Sequence, residues 1–570
     1  MKSTDLIIYT TCLTIAVWIA ACQSNTNEKT QISRVGFEVN VNVRGKEIPN
    51  IWESEIIWFW GDNFLEKADK QPDDFVAKRY PFLERFDLQL ATGGEIAGYP
   101  GCSDKTRDLF IDPYDCNSGY DFSALVHACK NIVRQGVKPL IKTGAVPICM
   151  SSDPEMSPHF YTNVRPPDDY NEYFDYIQAL TSALADEFGK ETLASWDWGF
   201  VAEYENDHIF YVEDKSVEKS KQAVFKLYDY TVAALESVIG SGQVKMQIHP
   251  CAVCGFWDGK ELIYHAYKET NYYTGDKGTP LHYVVTSHYS NWNTSPTEFA
   301  VKNKSIQDYA DSLGIKDLKF GLGEEGTLFD TAQTQLLGGV TGHPAQLSLD
   351  AFKFKLALDN NIDWITRWSW SSNRVWGIIE MPVVNVAKLC HRMAGDERVA
   401  VVKNGLEQFL NNEVYAVSSF DKNENTLKVL AFNHNKDFAA TGAEEVSVTV
   451  TGFDQDEVVI KKWIIDETHS NFWPTWWNEQ GEIVELGPMK GEYGMKGNIP
   501  ISRFDSFAFE AFKYEEDRKK FMKNLDRYRE LNQLMRPEVL TTEVQDTGML
   551  NVDFTLEHHG VVYLEISAPS

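Results

Sequence analysis

The chain has 570 residues and a formal net charge of −29. One hydrophobic core does not ordinarily grow so large, so roughly two to four domains are expected. Hydrophobic content of 43% with 24% charged residues is globular, and so negative a field repels phosphate backbones, which excludes nucleic acid as a partner.

The elements follow in chain order. Residues 6–22, "LIIYTTCLTIAVWIAAC", form an apolar run too short for a spanning helix. It closes on small residues as a signal peptide does. The Ile19-Ala20-Ala21-Cys22 ending resembles the bacterial lipoprotein lipobox, which implies that residues 1–21 are removed and Cys22 is lipidated. Residues 22–34 are polar and read as a flexible tether. Residues 35–49 alternate and are expected to add strands to a later sheet.

Residues 50–395 alternate β-like runs with stretches of helical period. "EIIWFWGDN" and "FDLQLATGG" are strands. "FSALVHACKNIVRQG" is a helix with a glycine stop, feeding "VKPLIKTGAVP". "YFDYIQALTSALADEFG" precedes "ASWDWGFVAEYEN", and "AVFKLYDYTVAALESVIG" precedes "VKMQIHP". "HYVVTSHYS", "LKFGLGEEG" and "IDWITRWSW" complete eight strands. Eight βα units predict an α/β fold, a (β/α)8 TIM barrel. A doubly wound sheet would want a Gly-rich phosphate loop early on, and none is present.

Residues 396–570 change texture. Period-2 strands at short spacing, such as "NEVYAVSSF" and "EEVSVTVTGF", predict a C-terminal β-sandwich. A helical insert falls near 515–535, and two strands close the chain. After Cys12 leaves with the signal, Cys102 with Cys116 is the expected disulfide of an oxidising compartment. "CAVC" at 251–254 is a lone pair with His249 near it and no fourth ligand, so neither a metal nor a cofactor is expected.

Active sites of such barrels lie at the C-terminal ends of the strands. Those ends carry Glu203 and Glu205, His249, His288-Tyr289, Glu324-Glu325 and Trp368/Trp370. Carboxylates, imidazoles and flat aromatic rings fit a sugar. Glycoside hydrolysis needs two carboxyl groups, one to protonate the leaving oxygen and one to attack the anomeric carbon or activate water. The pairs on the fourth and seventh strands are the candidates. Glu203 and Glu205 share one side of a strand, whereas Glu324 and Glu325 point to opposite sides. Bulky residues dominate barrel interiors, which favours Leu318, Phe320, Leu322 and Glu324 pointing inward. The helix-facing side is apolar too, so parity alone leaves both open.

Here the residues resemble clan A of the retaining glycosidases, and within it glycoside hydrolase family 39, which holds β-xylosidases and α-L-iduronidases. The resemblance rests on "GVKPLIKTGAVP", on "WIIDETHSNFWPTW" at 463–476 and on "HHGVVYLEI" at 558–566, and it spans most of the chain after residue 50. It implies that Glu203 is the general acid/base, although Ala202 and Tyr204 stand where the family usually has Asn and Pro. It implies Glu324 as nucleophile, with Glu325 the choice of an iduronidase-like alignment. It places His288 or Tyr289 near the nucleophile and Trp368 and Trp370 beneath the sugar. His249, Lys142, Arg107 and Trp292 are rim candidates, a cation there suiting a uronic carboxylate. Phe472, Trp473, Trp476 and Trp477 are expected at the domain junction.

The expectation is therefore a lipid-anchored retaining glycoside hydrolase of a bacterial cell envelope. It would act on an oligosaccharide or polysaccharide by double displacement, with membrane attachment through Cys22. The competing expectation, motivated by Ala202, is a carbohydrate-binding surface lipoprotein on a barrel that has lost catalysis. A lyase acting on a uronic substrate is a third, recognised by unsaturated products.

Overall fold

The computed structural model describes residues 34–57, 80–96, 108–158, 161–251, 255–290, 295–327, 344–368, 379–404, 412–437, 440–453, 455–479, 515–545 and 548–569, with two-residue strand fragments at 330–331, 334–335, 484–485, 489–490, 496–497 and 500–501. Eight parallel strands close into a barrel. In chain order these barrel strands 1 to 8 are Ser54–Ile57, Arg85–Leu88, Lys138–Lys142, Asp197–Ala202, Lys245–His249, Tyr283–Ser290, Lys319–Thr327 and Trp364–Trp368. Each pairs in parallel with the next, and strand 8 returns to strand 1. The (β/α)8 fold expected from the alternation is present.

The helices between them start and stop where local chemistry dictates. Asp169 caps the Tyr170–Phe188 helix by accepting from Asn171 N, and Ser216 caps Val217–Ile239 by accepting from Lys219 N. Gly189 and Gly240 end those helices at φ 83° and 124°, which a side chain would resist. Their apolar stripes, such as Tyr173, Ile177, Leu180 and Leu184, bury against the barrel.

Outside the barrel the two-residue fragments pair among themselves, and nine longer strands form one mixed sheet. Its N-terminal member, Arg34–Glu47, lies between Glu397–Asn404, antiparallel, and Ala443–Thr451, parallel. Burial alternates along Ala443–Thr451 and Met549–Glu557, as expected of strands with one face in a core. The sheet folds over itself, so Met549–Glu557 at one edge packs on Thr426–Asn435 and Val561–Ser567 near the other. That gives sandwich packing around Phe37, Val448, Leu564 and Ile566. Thr426–Asn435 is buried along both faces because the Pro344–Asp359 helix of the barrel covers its outer one. Phe352 of that helix stacks on Tyr415 with ring centroids 5.4 Å apart. The insert near 515–535 holds two helices, Glu515–Lys523 and Leu525–Asn532. The strand after it, Glu538–Glu543, escaped the sequence reading. It is an exposed edge strand with no buried face to pattern it.

The 463–476 stretch forms a junction. Asp466 accepts from the backbone N–H of Thr468 and His469, while Asn385 of the barrel's Val383–His391 helix donates to the carbonyls of Ser470 and Asn532. Phe472, Trp473 and Trp476 are buried with Phe521 and Tyr528 in the core that continues into the barrel. The side chain of Trp477 lies outside the described residues.

The disulfide expectation is corrected. Cys116 bonds to Cys149 and not to Cys102, because the loop after strand 2 lies against the turn that follows strand 3. Cys251 is also disulfide-bonded, which takes it out of any thiolate chemistry. Among the described residues no helix is long and apolar enough to cross a membrane. Cys22 lies outside the described residues.

Candidate active site

The barrel interior is polar in layers. At the bottom, Arg85 of strand 2 pairs with Glu53 and with Asp197 of strand 4, and lies over the Trp364 ring. One layer up, Asp87 pairs with Lys142 of strand 3 at 2.7 Å, both fully buried. Lys142 Nζ lies 3.0 Å from His249 Nδ1, and His249 Nε2 lies 2.9 Å from Ser287 Oγ. An ammonium has only donors, so His249 Nδ1 accepts and Nε2–H donates to Ser287. Burial and then Lys142 hold the His249 imidazole well below its usual range, which keeps it neutral. At the top, Gln89 Nε2 donates to Glu324 Oε1 at 2.6 Å and Tyr289 OH donates to Glu324 Oε2 at 2.7 Å.

Glu324 reaches this face through a β-bulge. Val285 pairs with Gly321 and Thr286 with Leu322, but Ser287 pairs with Glu324. The other neighbour shows the same excess residue: Ile365 pairs with Leu322, and Arg367 with Glu325. Gly323 is the extra residue. It sits against the interior, where a Cβ would come within 2.5 Å of Val285 Cγ2 and 2.8 Å of His249 Nδ1. Ser287 points inward to His249, so its partner Glu324 points inward too. Bulges re-aim a side chain in this way. The expected facing of strand 7 is corrected: Gly321 and Gly323 line the interior, while Leu322 joins the apolar core that holds the helices.

Glu325 points the other way. It is fully buried between strand 7 and the Pro344–Asp359 helix, paired with Lys353 and with Arg367 Nη1 at 2.7 Å. Arg367 Nη1 also donates to Asp350 at 2.9 Å. Burial alone would raise the Glu325 carboxyl, but Arg367 and Lys353 outweigh it and hold it below its usual value. Its carboxylate is held in these ion pairs on the helix-facing side of the barrel wall.

Glu203 follows strand 4 directly. Its backbone adopts φ 52°, a conformation that costs a side-chain-bearing residue energy. The N–H donates to His249 O at 2.6 Å, and Asn206 Nδ2 lies 3.4 Å from Oε2. The pairing of strands 4 and 5 shifts between Gly199 and Ala202, so the strand's end is re-aimed here as well. Glu203 lies close enough to Glu324 to be the second-largest cause of its raised carboxyl. Burial comes first, Lys142 opposes both, and the result is about 8.

Other expected residues fall elsewhere. Glu205 is tucked under the 255–259 loop that leads into the Glu261–Lys268 helix: a Cβ on Gly255 or Gly259 would strike it, and Phe256 N donates to Glu205 O. His288 is on the helix-facing side with Glu325, its ring 5.5 Å from Phe299, so it does not join Tyr289. His249 and Lys142 are buried beneath the mouth rather than on the rim. Trp368 ends strand 8 opposite Ile56, its side chain outside the described residues; Trp370, Trp292 and Arg107 lie outside them entirely. Sequence reasoning missed Asp87 and Gln89. Their signal was available: Arg85, Asp87 and, just past the strand's end, Gln89 are polar at period two along a strand buried on both faces.

Residues 106–313 match the model of glycosyl hydrolases family 39. That span holds barrel strands 3 to 6 and Glu203; Glu324 lies beyond it. Over 149 residues the chain is 28% identical to a beta-xylosidase of Geobacillus stearothermophilus, covering 26% of this chain and 27% of that one. The chain thus spans about a quarter of the length of this curated relative. A GH39 enzyme from Xanthomonas axonopodis pv. citri has the same fold, with a TM-score of 0.64 at 12% identity over 95% of this chain and 99% of that one. A monomeric beta-xylosidase from Caulobacter crescentus CB15 gives 0.62 at 12% over 94% and 100%. Over residues 106–313 the chain is thus similar to glycosyl hydrolases family 39, the family its motifs resemble.

Proposed function

We propose, from the likeness to glycosyl hydrolases family 39 over residues 106–313, that this chain is a retaining glycoside hydrolase. One observation carries the reading. Glu324, gripped on both oxygens by Gln89 and Tyr289, shares the barrel mouth with Glu203, while its neighbour Glu325 is sequestered in ion pairs.

In this reading Glu324 is the nucleophile and Glu203 the acid/base. Burial and then the charge of Glu203 raise the Glu324 carboxyl. Catalysis starts from the form with Glu324 ionised and a proton on Glu203. The Glu324 carboxylate attacks the anomeric carbon, and the bond to the leaving oxygen breaks as Glu203 protonates it. Glu203 then takes a proton from water, whose oxygen attacks the anomeric carbon and releases Glu324. Gln89 and Tyr289 orient the attacking oxygens, the positioning on which such displacement depends. Ala202 offers no side chain to bond the sugar, so hydroxyl recognition falls to other groups of the mouth.

The substrate is proposed to be an oligosaccharide or polysaccharide glycoside. The beta-xylosidase likeness makes aryl β-xylosides the first to try, with arabinosides, galactosides and uronides beside them. A lipid on Cys22 would hold the enzyme at a bacterial cell envelope, testable by loss of lipid incorporation in Cys22→Ser.

The test is turnover of an aryl glycoside panel with the first-formed sugar followed by NMR. Retention of anomeric configuration is expected. An inverted product, an unsaturated one absorbing in the ultraviolet, or binding without any turnover would each overturn the reading.

A further inference from the structure

The Asp87–Lys142–His249–Ser287 chain crosses the barrel from strand 2 to strand 6, in the layer directly beneath Glu324. It touches the Glu324 site from three sides. Asp87 lies two residues before Gln89, the donor to Glu324 Oε1, on the same face of the chain. Ser287 is the strand partner of Glu324. His249 packs against Gly323, the bulge residue that aims Glu324 inward. Room for Lys142 is itself built in: a Cβ on Gly199 would come within 2.8 Å of Lys142 Cγ. A fully buried lysine must be paired to be retained, and here it has both an anion and a neutral imidazole.

We propose that Lys142 is a positioning residue for the nucleophile: pinned by Asp87 and His249, it gives the site floor a fixed positive charge that favours the ionised, attack-ready form of Glu324. This deepens the glycosidase reading and rests on it for its catalytic meaning. The charged and titratable groups facing Glu324 among the described residues are Asp87, Lys142, Glu203, His249 and Tyr289, from strands 2 to 6. Strands 1 and 8 present Ser54, Ile56, Trp364 and Thr366. Glu325 faces away with its own cations. Lys142 is therefore the one cation among these groups, and it opposes both burial and Glu203 in setting the charge of Glu324.

Two substitutions of opposite sign test it. Lys142→Met removes the positive charge while keeping the stem, and Asp87→Asn leaves that charge less compensated. The acid limb of the kcat/KM–pH profile is expected to move up by about one pH unit or more in Lys142→Met and down in Asp87→Asn. KM at the optimum should change far less than kcat. General packing damage would not drive the two in opposite directions. The double variant, neutral at both positions, controls for misfolding and should fall between them. The Glu324 carboxyl is also titrated directly in 13C-glutamate protein, its signal assigned by loss in Glu324→Gln. That readout works without turnover, so a chain that is no glycosidase but shows the opposed shifts keeps the electrostatic role. Limbs and titrations that stay put, or that move the same way in both variants, overturn the proposal.

Discussion

Ser287 and Glu324 are strand partners, although Thr286 and Leu322 are partners immediately before them. The one-residue excess, Gly323, places consecutive glutamates on opposite sides of the barrel wall. The inward one meets Gln89, Tyr289 and the charge of Glu203; the outward one meets Lys353 and Arg367. Without the bulge the two would exchange faces, since a one-residue slip reverses every side chain beyond it.

Gly323→Ala should therefore damage the site disproportionately. The added Cβ would sit 2.5 Å from Val285 Cγ2 and 2.7 Å from His249 Cε1, both of them fully buried. A stability loss of about 1–3 kcal/mol is expected from overpacking. A larger effect is expected on kcat, at least roughly tenfold, because misplacement of a reacting group by even about 1 Å is costly. Denaturant unfolding and steady-state kinetics on the same preparation check this. Parent-like kcat would show that the bulge tolerates a side chain.

The two glutamates should fail in different ways. Glu325→Gln removes one anion from a buried cluster of Lys353, Arg367 and Asp350. Leaving cations undercompensated in the interior typically costs about 3–5 kcal/mol. The expected result is a marked fall in thermal stability, with activity surviving at low temperature. Glu324→Gln should keep the fold and lose turnover. Equal stability of the two variants would contradict the assignment of Glu325 to structure.

Much of this was legible. Eight βα units, the ring of strand ends and the carboxylates on strands 4 and 7 all follow from periodicity and spacing. The direction of facing did not. Leu318 and Leu322 suggest an aliphatic interior, yet this barrel encloses Arg85, Asp87, Gln89, Lys142 and His249, and its leucines pack the helix layer. Bulky, charged side chains on neighbouring strands need glycines opposite them, so Gly199, Gly321 and Gly323 were the readable trace. His288 follows the same rule: it is the partner of Glu325, so it faces outward with it. The Cys116–Cys149 bond depends on two loops meeting in space, which sequence separation does not report.

Stability should depend on pH through Glu324 in a direction opposite to the usual carboxylate. Its folded value, about 8, lies above the unfolded value of about 4.3. The folded state thus retains a proton that the unfolded chain releases, and its stability falls as pH rises between those values. Glu324→Gln removes this dependence. Its thermal midpoint relative to the parent should rise between pH 5 and pH 8.5. Glu325, held below its usual value, works the other way: its contribution is present above the unfolded value and disappears in acid. A Glu324→Gln advantage that is constant across that range would contradict the raised carboxyl.

The Cys116–Cys149 bond closes a loop with a sequence separation of 33 residues. Removing such a link costs roughly 3–4 kcal/mol in the chain-entropy account. The loss should be local, because the bond ties the 108–122 loop to the turn at Ile148–Met150. Faster proteolytic nicking within 108–122 is expected in Cys116→Ser or under reductant. Unchanged cleavage would mean that Asp108, which accepts from Gly94, Phe110 and Ile148 N–H groups, holds the loop unaided.

The central claim is that Glu324, and not Glu325, presents the attacking carboxylate to a sugar. A 2-fluoro glycoside with a good leaving group traps a glycosyl-enzyme, and digestion with mass spectrometry names the modified residue. Labelling of Glu324, absent in Glu324→Gln and retained in Glu325→Gln, is the predicted result. A label on Glu325, or stoichiometric binding with no covalent adduct, would contradict the account.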